Sequence, residues 1–224
     1  MNGTGRHEKK HRINYADYLQ LRARLSQVAM PDENAVNGGG YRIMSLYFDN
    51  YGDKALREKL DGVAEREKFR LRYYNGDTSF IRLEKKSKRA GLCYKQSAII
   101  TAAECAALLL GESDVLKQNG DPLCMELYAK MRYELLRPKN LVDYKREAYV
   151  FEAGNVRVTI DSDLRRGTDV SQFFSPHPIT VPIPGVIILE VKYDGFLPEL
   201  IRGVTTLSSR QAAAFSKYAA ARMG

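Results

Sequence analysis

Several features that would announce a large protein class are missing from this 224-residue chain. Its three cysteines, Cys93, Cys105 and Cys124, are odd in number and form no C-x-x-C pair, which argues against a disulfide framework or a zinc knuckle and suits a reducing, cytoplasmic setting. No apolar run approaches the ~18–20 residues of a membrane span, and the opening MNGTGRHEKKHR has no apolar centre of the kind a signal peptide needs. The chain therefore reads as soluble, with any membrane association supplied by a partner. There is no Gly-x-x-x-x-Gly-Lys-Ser/Thr, so the phosphate loop of the usual nucleotide hydrolases is excluded. Internal repeats, low-complexity tracts and Pro/Ser-rich linkers are also lacking, and a single domain over residues 1–224 is expected. Two stretches look loose: 29–40, which ends in three glycines, and 165–184, which carries four prolines.

What the chain does have is positive charge and alternation. Its 35 Lys and Arg against 27 Asp and Glu give a net charge of +8 and call for an anionic partner of some kind. Period-two patterns run over 41–48, 68–74, 79–86, 92–101, 141–151, 155–161 and 186–193, with a weaker one over 6–13, so about eight strands are predicted. Helices are predicted after Asn14, after a Thr101/Glu104 capping box, over about 122–136 and over about 210–222. The fold class expected is α+β, with mainly antiparallel strands and helices packed outside.

Successive side chains of a strand point to opposite faces. Here the faces opposite the apolar ones carry an unusual load: Arg70 and Arg72; Arg82, Glu84 and Lys86; Tyr144 and Arg146; Arg157 and Asp161; Glu190 and Lys192; Arg6, Glu8, Lys10 and Arg12. Any one such strand is ordinary for the solvent face of an open sheet. Their repetition predicts instead a closed eight-stranded antiparallel barrel with charged side chains turned inward. A cation-rich interior is prohibitive without an anionic occupant. Phosphate chains suit it, because arginine forks and lysine ammonium groups match phosphate oxygens while Glu190 and Glu84 can hold a divalent cation.

Tyr-Phe-Asp at 47–49, Arg-Glu-Lys-Leu-Asp-Gly at 57–62, Lys-Phe-Arg-Leu-Arg-Tyr-Tyr at 68–74, Leu-Glu-Lys-Lys at 83–86, Leu-Glu-Val-Lys-Tyr at 189–193 and Phe-Ser-Lys-Tyr at 215–218 together resemble the VTC domain. This is the catalytic domain of vacuolar polyphosphate polymerases and their stand-alone bacterial relatives, within the triphosphate tunnel metalloenzymes. The resemblance implies transfer of the terminal phosphoryl group of ATP to inorganic polyphosphate with Mn²⁺ or Mg²⁺. It implies phosphate binding by Lys10, Lys59, Arg70, Arg72, Lys86, Lys95, Tyr144, Arg146, Arg157, Ser216 and Lys217. Arg70, Arg72, Lys86 and Glu190 would be catalytic; Glu190 would be the primary metal ligand, with Glu84 and Glu8 as further candidates.

Eukaryotic members carry a lysine where Ala214 stands, and also have phosphate-sensing and membrane domains, so a separate membrane partner is implied here. The triphosphatase branch carries E-x-E-x-K on its first strand, of which only Glu8 before Lys10 remains. Two other functions stay open: a tunnel triphosphatase, and a non-catalytic module binding polyphosphate or nucleic acid. The 14 tyrosines would suit base stacking, but they fall mostly on apolar faces or helices, and nucleic acid is not expected. His7-Glu8-Lys9-Lys10-His11 matches the zinc-protease motif H-E-x-x-H but lacks an apolar helical face and reads as accidental. Asp161-Ser-Asp163 reads as a turn, and Lys85, Lys88 and Arg89 as a solvated hairpin edge.

Overall fold

The computed structural model describes residues 5–33, 40–207 and 215–223. All eight predicted strands form: β1 (His7–Ile13), β3 (Tyr41–Asp49), β4 (Arg66–Tyr74), β5 (Asp77–Arg89), β6 (Leu92–Ile100), β7 (Arg137–Phe151), β8 (Val156–Gly167) and β10 (Ile187–Tyr193). They make one curled antiparallel sheet in the order β1-β10-β8-β7-β3-β4-β5-β6. The two-residue strands β2 (Met30–Pro31) and β9 (Val181–Pro182) pair with β7 and β8. Asn75-Gly76, both at positive φ, turn β4 into β5, as a two-residue hairpin requires.

The expected closed barrel is corrected. The sheet is open, and its edge strands meet at a single bridge, where Arg6 and Cys93 exchange backbone hydrogen bonds of 3.0 and 3.1 Å. The register explains this. Counting antiparallel from that bridge sets Glu8 against Gly91 in the β5–β6 turn. In that direction, among the described residues, β6 leaves β1 no strand to pair with.

Apolar side chains leave the convex face in two layers. Leu46, Phe69, Leu71, Ile81 and Leu83 pack under α3 (Ala102–Leu109) and α5 (Pro122–Tyr133), with the short α4 (Leu116–Asn119) beside them. Val158, Ile160, Leu189 and Val191 pack under α1 (Tyr15–Val28) and α6 (Glu199–Thr205). The predicted cap Asn14 starts α1, where the structure completes a capping box with Asp17, and the predicted Thr101/Glu104 capping box starts α3. On the concave face, α7 (Lys217–Met223) lays Tyr218 against Tyr47, 5.2 Å between ring centroids, and α2 (Lys54–Leu60) contacts α7. The helix predicted over 210–222 is seen from Lys217 onward; residues 210–214, Ala214 among them, lie outside the described residues.

Two local readings change, and a third, the accidental H-E-x-x-H, stands. Asp161 lies within β8, buried and paired with Arg146 and Ile188, because the strand continues to Gly167; Asp163, at φ 48°, sits at a register shift instead. Lys85 faces the helices, where Glu67 and Glu126 pair with it, so it is no solvated edge. The H-e-x-x-H segment is strand β1, which puts Glu8 on the opposite face from both histidines and rules out the helical zinc arrangement.

Candidate anion-binding cavity

Alternation and register together aim the charged faces into the curl. The resulting cavity, about 670 Å³, is lined by twelve lysines and arginines against four carboxylates, Glu8, Asp77, Glu84 and Glu190. Every phosphate-binding, catalytic or metal candidate from the sequence lines it except Lys59, which sits on α2 in an adjoining recess of about 150 Å³. Glu8, Lys10, Lys68, Lys86, Cys93 and Ser216 line both spaces, so recess and cavity adjoin.

Three clusters organise the charges. In the first, the β1–β10 register opposes Lys10 to Glu190 and Glu8 to Lys192. Lys10 Nζ lies 2.7 Å from Glu8 and 3.5 Å from Glu190, Lys192 lies 2.7 Å from Glu190, and Lys86 pairs with Glu8. Burial alone would raise both carboxyls, but Lys10, Lys192 and Lys86 hold each below its ordinary value, so both are ionised. Lys86 itself is lowered to about 8, by burial and by Lys10 and Lys192, against the pull of the two glutamates.

In the second cluster, buried Glu84 is 2.6 Å from Arg70, 2.7 Å from Lys95 and 3.5 Å from Arg72. Arg70 donates to the Tyr47 hydroxyl at 3.0 Å, and Arg72 donates to Tyr144 at 2.9 Å and Ser45 at 3.2 Å. These contacts fix both guanidinium planes, which suits bidentate recognition of phosphate. In the third, Asp161 takes a bidentate bond from Arg146 at 2.6 and 2.8 Å and also pairs with Lys217. Arg157 is held by Tyr41 at 2.9 Å and Asp32 at 2.8 Å.

Tyr47 and Lys68 were not singled out from the sequence, yet they line the cavity; Lys192, read only as part of a charged face, lines it too, and Asp161, weighed as a metal ligand but read as a turn, supports it from behind Arg146 and Lys217. Lys68 was readable, since it shares the period-two face of Arg70 and Arg72. Tyr47 was not, because a tyrosine among apolar neighbours looks like core. Burial would raise its phenol, but Arg70, Lys68, Arg72 and Lys217 draw it down to about 7. Lys68 is lowered to about 7 by burial together with Lys86, Lys10 and Arg70, with Tyr47 opposing.

Among the described residues, no three His, Cys, Asp or Glu side chains gather into a ready cation cage. Glu8 and Glu190 nonetheless place two ionised carboxylates in one cluster, a donor set that fits Mg²⁺ or Mn²⁺ completing its shell with phosphate oxygens and water. Glu84 stands apart from them, in the separate cluster of Arg70, Arg72 and Lys95.

A curled sheet that wraps a cation-lined cavity defines an α+β domain. The chain belongs to the VTC domain family, whose model matches residues 5–223. No curated protein matches it in sequence. Among solved structures it is similar to a proposed adenylate cyclase from Bacillus halodurans, at 12% identity over 90% of this chain and 87% of that one, TM-score 0.48. A Pyrococcus horikoshii protein aligns at 14% identity over 89% and 84%, TM-score 0.46. The Mimivirus capping-enzyme triphosphatase aligns at 13% identity over 85% and 81%, TM-score 0.39.

Proposed function

We propose that this domain is a polyphosphate polymerase that transfers the terminal phosphoryl group of ATP to a growing inorganic polyphosphate. The observation that carries the reading is the reach of the cations, which line the main cavity and go on into the adjoining recess of Lys59. Arg70, Arg72, Arg146 and Lys86 would hold phosphoryl oxygens, with Lys10, Lys95, Arg157, Tyr144, Ser216 and Lys217 lining the rest of the path. An oxygen of the chain's terminal phosphate attacks the γ-phosphorus, the bond to the β–γ bridging oxygen breaks, and ADP leaves with the electron pair. Fixed cations stabilise the charge that builds on the transferred group and the leaving oxygen. Mn²⁺ or Mg²⁺, held by Glu190 with Glu8, would supply Lewis-acid polarisation of the phosphoryl group. Transfer to water in the same channel would make the protein a triphosphatase instead. Among the described residues no helix is long and apolar enough to cross a membrane.

Glu190→Gln tests the reading. Turnover of ATP should fall about 100-fold or more, the upper end of what losing support for a metal costs, while polyphosphate affinity stays within a few-fold. Unchanged turnover would contradict the role of Glu190. A wild-type protein that binds polyphosphate but never consumes ATP would be a binding module.

A further inference from the structure

The face that lines the cavity changes character along its strands. On β4 it runs through Lys68, Arg70 and Arg72 to Tyr74, and on β5, followed in the opposite direction, through Lys86, Glu84 and Arg82 to Phe80. Both strands therefore turn aromatic at the Asn75-Gly76 hairpin. Tyr41, which opens β3, joins them there, its ring 5.8 Å from that of Tyr74. Tyr41 is buried, whereas Phe80 is 41% exposed. Arg82 lays its guanidinium 4.9 Å from the Phe80 ring centroid. Its strand partners are Arg72 on one side and Ile99 on the other, so the register sets it beside a like charge and an exposed apolar side chain. Among the described residues its buried Nε–H has no hydrogen-bond partner. The face of an aromatic ring is electronegative and repels phosphate oxygens, so this end suits something other than more phosphate.

We propose that the hairpin end of the cavity is a nucleoside subsite, in which the base of a nucleoside triphosphate stacks on the Phe80 and Arg82 pair while the Arg82 Nε–H donates to its first phosphate. The ligand class rests on the proposed reaction, for which ATP is the donor. Aromatic rings and guanidinium planes are the two side-chain surfaces on which bases stack. A strand rises ~3.3 Å per residue, so the four steps from Phe80 to Glu84 set the ring about 13 Å from the level where Arg70, Arg72 and Lys95 meet. Ribose and phosphates occupy the interval. The subsite fixes the direction of the donor, with its base at the β4–β5 hairpin and its terminal phosphate inward among the fixed cations. It also favours nucleoside triphosphates over inorganic triphosphate, which presents the same phosphates without a base. A ring face carries no pattern of donors and acceptors, so the preference is for a base and not for adenine in particular.

Titration calorimetry on the full chain, with ATP, GTP and inorganic tripolyphosphate as separate ligands, tests this. Phe80→Ala should weaken ATP and GTP about 10-fold each, within what stacking one base on an aromatic ring contributes, and leave tripolyphosphate within about twofold. The unchanged third ligand also shows that the variant's cavity is folded. Phe80→Tyr, which keeps the ring, should hold ATP within about threefold of the wild type. Tyr133→Ala removes an exposed ring outside the cavity and should change none of the three affinities. An ATP affinity unmoved by Phe80→Ala, equal losses for ATP and tripolyphosphate, or a like loss from Tyr133→Ala would overturn the inference. The two readings fail separately. A wild type that binds ATP in this pattern but makes no polyphosphate loses the polymerase reading and keeps the subsite, whereas one that makes polyphosphate while Phe80→Ala leaves ATP affinity unmoved loses the subsite alone.

Discussion

Asp161 shows how much a single residue does in a cavity of this charge. It sits 2% exposed between Arg146 and Lys217, and although burial would raise its carboxyl, those two cations hold it at about 2, below the ordinary 3.8. Removing it strands two enclosed cations, so Asp161→Ala should cost about 3–5 kcal/mol at neutral pH, read from the denaturant midpoint. The sign with pH follows from linkage. A depressed carboxyl stabilises fully above its unfolded value, and that contribution is lost as pH falls from about 3.8 toward 2, where the gap between wild type and variant should narrow. A cost below about 1 kcal/mol would mean that the pair contributes little. The sequence placed Asp161 on a strand face and also within a turn-like Asp-Ser-Asp; the turn reading was wrong because bulges and register are settled by the partner strand.

Elements were legible where local chemistry defines them. Period two produced eight strands because most are apolar toward the helices and charged toward the cavity; β3 lines the cavity with Tyr41 and Tyr47 instead. Asn14 and Thr101 announced α1 and α3 because a capping box is a local arrangement. Asn14→Ala should cost about 0.5–2 kcal/mol in a chemical melt, since the side chain takes the Asp17 N–H at 2.8 Å; no change would show that the packing of Leu21 and Leu25 alone holds α1. The seven-residue α2 was not legible. It buries no side chain, and its first turn is satisfied from a distance, with Asp49 accepting from Ala55 at 2.9 Å and Leu56 at 3.2 Å. That same carboxylate accepts from Tyr218 at 2.6 Å, tying α2 to α7 through a residue that reads in sequence as the end of a strand.

At the scale of the whole molecule, alternation foretold where the cations gather, but it could not foretell closure. Whether an eight-stranded sheet closes depends on register between its first and last strands, which no local pattern encodes. Here the register leaves one bridge and an open curl. The excess of twelve basic side chains over four carboxylates in the cavity survives that correction, and it suits the polyanion of the proposed reaction. Which reaction the polyanion undergoes is decided by what attacks the γ-phosphorus. Phosphorus NMR of the purified protein incubated with ATP and Mn²⁺ separates the cases directly. The account predicts loss of the γ signal, growth of ADP and accumulation of mid-chain polyphosphate resonances; ADP with orthophosphate as the sole other product would contradict it.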